Sequence, residues 1–178
     1  MDLVKKAEFF ARGAHAGQHH GERPFWTHPR AVADNLRGFF HQFELEDELE
    51  LLPDAMVAAA WLHDTIEDTP TTYQDIKHLF GHLVAETVWA VTDEMGRTRH
   101  ERKEKTYPKI FASPSSTLLK LADLKANIEA SVKHKSKQLQ MYQKEWETLA
   151  GDYLGALETH GLGALRVVID DLGSQLGV

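Results

Sequence analysis

The chain has 178 residues, a formal net charge of −7 and 42% hydrophobic residues, which is ordinary for a globular protein large enough to bury a core. It contains no cysteine, so disulfides, thiolate metal sites and cysteine nucleophiles are excluded, and any metal ion must be held by imidazole and carboxylate groups. The excess of acidic residues, with no cluster of basic ones to offset it, argues against a nucleic-acid-binding protein. It does not argue against a small phosphorylated substrate.

The apolar segments are too short for membrane crossing or secretion. The longest uninterrupted apolar run, residues 55–62, is far below the roughly 20 residues that a bilayer requires. The first residues, Met1-Asp2-Leu3-Val4-Lys5-Lys6, lack the apolar region of a secretory signal. We therefore expect no membrane association and a cytoplasmic location.

Helical periodicity dominates the sequence, and extended alternating runs of Val, Ile and Thr are missing. This pattern predicts an all-α fold, a helical bundle that forms one domain over residues 1–178. Asp2 is expected to cap a first helix that ends near Ala16. The polar, glycine-containing stretch 17–24 is predicted to be a loop.

The next two predicted helices frame an acidic linker. Thr27 is expected to be the N-cap of a second helix that contains Pro29 just inside its start and ends near Phe39. After the linker and Pro53, a third helix is predicted over residues 54–66. Its residues are apolar nearly all round, so it should lie in the core.

The second half of the chain continues the helical pattern. Further helices are predicted at residues 72–80, 82–92, near 109, from 114, and at 137–160 and 162–176. The charged segment Arg97–Lys105 is expected to be solvated. The C-terminal helices, within residues 137–178, are expected to pack on the core.

The end of the apolar third helix carries a dense group of charges, His63-Asp64-Thr65-Ile66-Glu67-Asp68. Buried charge is costly unless it is paired or metal-bound, and negative charge at a helix C-terminus opposes the helix dipole. On helical spacing His63 lies four residues from Glu67, and Asp64 shares its flank with Glu67 and Asp68. A divalent cation would relieve the repulsion; the alternative is a solvated helix end with scattered charges.

Other polar residues interrupt apolar patterns elsewhere. Asp123 lies on or beside the apolar stripe of a core helix, with Asn127 four residues later on the same face. Asp123 either reaches a metal site or pairs with Lys120 on the surface, and both interpretations stay open. Taken alone, His28 beside its aromatic neighbours and His15 near the end of the first helix are more typical of structural histidines.

Four separated motifs contain these residues, in a fixed order. They read Ala14-His15-Ala16-Gly17-Gln18, Pro24-Phe25-Trp26-Thr27-His28-Pro29, Leu62-His63-Asp64-Thr65-Ile66-Glu67-Asp68-Thr69 and Lys120-Leu121-Ala122-Asp123-Leu124-Lys125-Ala126-Asn127. Together they resemble the HD superfamily of metal-dependent phosphohydrolases. The likeness is closest to the alarmone (ppGpp) hydrolase domain of the Rel/Spo proteins and their small stand-alone relatives.

The resemblance implies roles for nine residues. The implied metal ligands, around manganese in the family, are His28, His63, Asp64 and Asp123. The residues that would orient or activate the attacking water are Glu67 and Asp68. The residues that would face the substrate are Asn127, His15 and Tyr142. Nitrogen and oxygen donors without sulfur suit Mn²⁺, and also Fe²⁺ or Zn²⁺.

The implied reaction is hydrolysis of the 3′-pyrophosphate of guanosine 3′,5′-bis(diphosphate), with a metal-bound water attacking the phosphoryl group. Glu67 is the preferred general base, and Asp68 could hold the water or accept the proton instead. Gln138 stands where the family has an arginine, which favours an alternative, a phosphohydrolase acting on another nucleotide or small phosphoester. A non-catalytic HD domain that binds a nucleotide is the third interpretation. Self-association into a homo-oligomer is left open.

Overall fold

A computed structural model describes residues 1–20, 22–45 and 52–178, and this part of the chain is mainly helical, which confirms the predicted all-α fold. The helices are α1 Leu3–Ala14, α2 Thr27–Phe43, α3 Pro53–Leu62, α4 Thr65–Asp68, α5 Tyr73–Phe80, α6 His82–Val91, α7 Arg99–Ile110, α8 Pro114–His134, α9 Gln138–Thr159 and α10 Arg166–Leu176, with a 3₁₀ turn at Gly163–Leu165. None of the described helices combines the length and apolar character needed to cross a bilayer.

The stretch after α1 contains a small hairpin rather than an unpaired loop. Strands β1 (His19–His20) and β2 (Arg23–Pro24) pair antiparallel, with His19 opposite Pro24. Two-residue strands are too short to produce an alternating pattern, so the sequence indicated only a loop. Helix α1 begins as predicted, because the Asp2 side chain accepts a hydrogen bond from the Lys5 N–H.

Helix α2 differs from its prediction at both ends. Thr27 is its first residue and not its N-cap, because the Thr27 hydroxyl donates to the Pro24 carbonyl at 2.9 Å instead of accepting from the first helical turn. The helix also continues past Phe39 to Phe43, which packs against the core. The acidic linker predicted before Pro53 lies mostly outside the described residues.

Helix α3 occupies the centre of the core. Every residue from Ala55 to Leu62 is buried, and the helix packs against α1, α2, α6 and α8. The prediction that this helix runs unbroken to residue 66 is wrong. It ends at Leu62, and the short α4 begins at Thr65, whose hydroxyl donates to the Leu62 carbonyl at 2.6 Å. His63 and Asp64 therefore lie at a break between two helices.

Helix α8 runs through the same core and carries Asp123 and Asn127. The Ser113 side chain caps it by accepting from the Ser116 N–H, and Pro114 is its first residue. Helix α8 packs against α2, α6, α9 and α10, and the last two helices also pack on each other. The C-terminal helices thus cover one flank of α8.

The expectation that segment 97–105 is merely solvated is wrong. From Arg99 onward it forms α7, which is capped by the Thr98 side chain and packs against α6 and α8. The side chain of Lys103 is only 14% exposed. A run of charged residues is most often solvated, but here one face of the helix is turned toward the protein interior.

Candidate metal centre

The break between α3 and α4 presents His63 to the interior in a defined orientation. Its Nδ1 lies 2.8 Å from the Ala60 carbonyl oxygen, and the residue is 2% exposed. Because a carbonyl can only accept, Nδ1 must carry the proton, and the Nε2 atom is left facing the neighbouring polar groups. In metal-binding histidines, a hydrogen bond from the ring nitrogen that does not bind the metal commonly fixes the orientation of the ring.

The four predicted ligands converge although they lie far apart in sequence. His63 Nε2 lies 3.2 Å from His28 Nε2 and 3.1 Å from Asp64 Oδ1. Asp123 Oδ1 lies 3.1 Å from His28 Nε2 and 3.7 Å from His63 Nε2. Ligand atoms of His28, His63 and Asp64 all lie within 4.8 Å of one another, a group that could hold a metal ion.

These separations suit a shared cation. Neighbouring ligands of a six-coordinate ion with bonds of about 2.1 Å are about 3 Å apart, which is close to the shorter spacings in the cluster. The donors are two imidazole nitrogens and two carboxylate groups, the set expected for a divalent ion in a chain without cysteine. The residues present therefore fit a divalent metal ion.

Asp123 is held on both of its oxygens. Lys120 Nζ lies 2.7 Å from Oδ2, and Asn127 Nδ2 donates to Oδ1 at 2.6 Å. The ion pair with Lys120, which the sequence left as an alternative to a metal site, is therefore present, but it is buried and adjoins His28 and His63. The Asn127 side chain, expected to face the substrate, also orients Asp123.

The protonation of the cluster follows from its charges. Burial opposes the charged form of His63, but Asp64 and Asp123 outweigh it and raise the His63 pKa well above its usual value. Burial would raise the pKa of Asp64, yet the neighbouring His63 lowers that pKa to about 2. Burial is likewise outweighed at Asp123, where Lys120 lowers the pKa well below its usual range. Both aspartates are thus kept ionised, as metal ligands must be.

Glu67 and Asp68, the two predicted catalytic carboxylates, lie on α4 directly after the ligands. The Glu67 carboxylate accepts a hydrogen bond from the backbone N–H of Asp93, which follows α6. Burial and the charge of Asp64 raise the pKa values of both Glu67 and Asp68. A carboxyl with a raised pKa is a better proton acceptor near neutral pH.

His15 belongs to a hydrogen-bonded network that reaches the backbone of Asp68. Its ring stacks on Phe25 with a centroid separation of 4.2 Å, and its Nδ1 lies 2.8 Å from Gln18 Oε1. The Gln18 amide in turn donates to the Asp68 carbonyl at 2.9 Å. His15 Nε2 is buried and has no hydrogen-bond partner among the described residues. His15 thus supports the loop that holds α4.

A cavity of about 100 Å³ adjoins Asp123, Asn127 and Tyr142. Three cations also line it, and none was among the predicted site residues: Arg99, Lys103 and Lys120. The i,i+4 spacing of Arg99, Lys103 and Tyr107, all lining residues on α7, is the sequence signal that could have identified this face.

A larger cavity, of about 880 Å³, lies between α7 and α9. The residues that it shares with the smaller one are Arg99, Lys103, Tyr107 and Leu149. The guanidinium of Arg99 binds the Glu145 carboxylate at 3.0 and 3.2 Å across this gap. The larger cavity is big enough for a nucleotide-sized molecule, and it meets the smaller cavity, which Asp123 lines, along these shared residues.

Comparison with known proteins identifies related sequences and folds, although no protein-family model matches the chain. The chain is 38% identical over 133 residues to the bifunctional (p)ppGpp synthase/hydrolase SpoT of Escherichia coli K12, covering 70% of this chain and 17% of SpoT. A solved structure of a metazoan SpoT orthologue that hydrolyses ppGpp has the same fold, with a TM-score of 0.75 at 22% identity, covering 99% of this chain and 97% of that one.

A stand-alone relative matches over most of its own length. The guanosine-3′,5′-bis(diphosphate) 3′-pyrophosphohydrolase MESH1 of Xenopus tropicalis is 34% identical over 130 residues, which cover 71% of this chain and 68% of the MESH1 protein. The chain spans only a small part of the bifunctional bacterial protein, so its counterpart there is a single region. The chain belongs to the MESH1 and SpoT family of HD-type alarmone hydrolases, as its four motifs predicted.

Proposed function

We propose that this protein is a metal-dependent phosphohydrolase that removes the 3′-pyrophosphate from guanosine 3′,5′-bis(diphosphate). The observation that carries the proposal is the convergence of His28, His63, Asp64 and Asp123, the last of which lines a cavity together with three cations. The MESH1 and SpoT relatives are named for this chemistry, which supports the same activity here. One catalytic domain over residues 1–178 and a cytoplasmic location are parts of the proposal.

The proposed ion is Mn²⁺, with Fe²⁺ and Zn²⁺ as alternatives, held by the two histidines and two aspartates. The carboxylate share of the donor set favours the harder ions. When bound, such an ion supplies polarisation of a phosphoryl oxygen and a lower pKa for a coordinated water.

The chain's own residues would handle the proton. We assign the general base to Glu67, because its pKa is raised and because the Asp93 N–H fixes one of its oxygens, leaving the other to accept a proton. Asp68, also with a raised pKa, would hold the attacking water or accept the proton in its place.

Arg99, Lys103 and Lys120 would bind the phosphate groups. In a protein of net charge −7 they place three cationic side chains on the wall of one cavity, where they could contact an anionic substrate. Tyr142 and Asn127 line the same cavity and are the proposed uncharged contacts. A direct contact between His15 and the substrate stays a prediction.

The test is turnover of a substrate panel with Mn²⁺: guanosine 3′,5′-bis(diphosphate), NADPH, deoxynucleoside triphosphates and nucleoside monophosphates. We expect the guanosine bis(diphosphate) to be hydrolysed with the highest kcat/KM. Asp123→Asn should abolish turnover, while Asp170→Asn, on the exposed face of α10, should not. Rapid turnover of a monophosphate with none of the bis(diphosphate) would exclude the proposed substrate.

One observation favours a different nucleotide as the substrate. Gln138, at the position where an arginine was expected, is uncharged and exposed at the start of α9. In that case the metal ligands and Glu67 would act as proposed, but another member of the panel would be the best substrate. A non-catalytic nucleotide-binding protein would instead bind metal without turnover, with a nucleotide affinity unchanged by Glu67→Ala.

A further inference from the structure

Asp93, between α6 and α7, contacts two parts of the proposed active site at once. Its backbone N–H donates to the Glu67 carboxylate. Its own carboxylate accepts from Lys103 Nζ at 2.7 Å and lies 3.5 Å from Arg102 Nε. One residue therefore contacts the proposed general base through its main chain and a cavity-lining lysine through its side chain.

The segment that carries Asp93 is itself anchored. The Thr92 hydroxyl donates to the Val88 carbonyl at 2.8 Å. The backbone N–H of Glu94 donates to the Thr106 hydroxyl at 2.9 Å. Bonds on both sides of Asp93 thus tie it to α6 and α7, so its carboxylate is a fixed point.

The Lys103 side chain depends on this fixed carboxylate to stay at the cavity. It is 14% exposed and lines the cavity together with Lys120. Burial and the positive charge of Lys120 lower the pKa of Lys103, and the Asp93 carboxylate opposes this effect. Without that carboxylate, repulsion from Lys120 and the gain in hydration would both draw the flexible lysine toward solvent.

We propose that Asp93 is a positioning residue that holds the Lys103 ammonium at the cavity wall, where it meets a phosphate group of the substrate. The inference rests on the proposed function, because it takes the substrate to be phosphorylated. Asp93 itself touches neither the substrate nor the metal ligands. Asp93 acts through the contact of its side chain with Lys103. Its backbone N–H separately holds the Glu67 carboxylate.

The direction in which KM changes on removal of the Asp93 charge distinguishes a positioning role from a simple electrostatic effect. Removing the Asp93 charge makes the cavity more positive, which alone would strengthen binding of an anionic substrate and lower KM. If Asp93 positions Lys103, its removal instead releases the lysine and raises KM. A lost hydrogen bond between charged groups corresponds to about a tenfold change.

The experiment compares Asp93→Asn with Glu94→Gln, assayed with guanosine 3′,5′-bis(diphosphate) and Mn²⁺. Glu94 is the matched control, because it forms an ion pair of the same length with Lys109. Lys109 lies on α7, as Lys103 does, but its ammonium lies over the Trp89 ring. We expect KM to rise about tenfold in Asp93→Asn and to stay within about twofold in Glu94→Gln. Asp93→Glu should recover part of the loss. In a Lys103→Met background, Asp93→Asn should raise KM no further.

An unchanged or lowered KM in Asp93→Asn, or full additivity with Lys103→Met, would overturn the inference. If Asp93→Asn does not fold, the comparison of Lys103→Met with Lys109→Met decides, and equal KM values overturn it. If the wild type turns over no member of the panel, the proposed function fails. Calorimetric binding of inorganic pyrophosphate then tests Asp93 separately, and equal affinities of wild type and Asp93→Asn exclude the role.

Discussion

Lys120 Nζ lies 2.7 Å from Asp123 Oδ2, with only 17% and 7% of the two side chains exposed. Lys120 thus supplies a counter-charge to Asp123, the last of the four proposed ligands in the sequence. Because Lys120 takes Oδ2, Asp123 directs Oδ1 toward the two histidines. The pair defines which oxygen is offered to a cation.

Lys120→Met should destabilise the metal-free protein, because it leaves the Asp123 charge buried without its main partner. The expected loss in the free energy of unfolding is about 3 kcal/mol, measured by urea denaturation. Lys125→Met is the matched control on the same helix, since Lys125 pairs with the more exposed Glu129 and should cost about 1 kcal/mol or less. Equal losses in the two variants would show that the Lys120–Asp123 pair contributes no more than a surface ion pair.

Mn²⁺ should raise the thermal unfolding midpoint of the wild-type protein, because an ion that binds only the folded state stabilises it. At a free concentration of about 100 times Kd the gain is about 2.7 kcal/mol, and a chelator should reverse it. Asp123→Ala and His63→Ala should abolish the shift. His82→Ala, at an exposed histidine, should retain it. A shift that survives the loss of Asp123 would place the ion elsewhere.

The stability of the metal-free protein should fall on both sides of a pH optimum. The lowered pKa values of Asp64 and Asp123 give stability that is present above their unfolded values and is lost as the pH falls through the folded values, toward about 2 for Asp64. The raised pKa of His63 gives stability that is fully present below its unfolded value near 6.5 and is lost as the pH rises through the folded value.

Saturating Mn²⁺ should remove the alkaline part of this profile, because a bound ion takes the place of the proton on His63. Urea midpoints measured across the pH range, with and without the metal, would check both the acidic and the alkaline loss of stability. An alkaline loss of equal size in the presence of the ion would mean that His63 does not bind it.

Glu67→Gln should lower kcat by about 10²–10⁴-fold, because the amide cannot accept the proton that the carboxylate takes. Mn²⁺ affinity should be unchanged, since Glu67 is not one of the four proposed ligands. Asp68→Asn is the matched comparison one residue along α4, and we expect a smaller loss. The reverse order of effects would assign the base to Asp68 instead.

Two of the four proposed ligands stand out in the sequence because they interrupt apolar patterns, whereas the full set, with His28, followed only from the resemblance to the HD superfamily. His63 follows a helix that is buried all round, and Asp123 lies in a buried stretch of α8, so both required a partner. The break at His63 was not predictable, since it accompanies a hydrogen bond between the Thr65 hydroxyl and the Leu62 carbonyl rather than any helix-breaking residue.

The cationic wall was missed for a different physical reason. A lysine stem is long enough to be buried while its ammonium reaches a polar cavity, so Lys103 within a charged run looks the same in sequence as a solvated residue. The two interpretations of Asp123 could not be separated from the sequence either, because the pair with Lys120 forms in the interior beside the histidines and not on the surface. Asp123 pairs with Lys120 and adjoins the histidines at the same time.

The position of His63 depends on the fully buried Ala58, Ala59 and Ala60, the last of which offers its carbonyl to the His63 ring. Because these methyl groups lie where α3 meets its neighbours, a larger side chain would shift the helix axis and carry the imidazole with it. An added methylene one helical turn before His63 would thus displace this imidazole without altering any of the four proposed ligands. Tolerance to substitution in the middle of α3 is accordingly a measure of how finely the site must be placed.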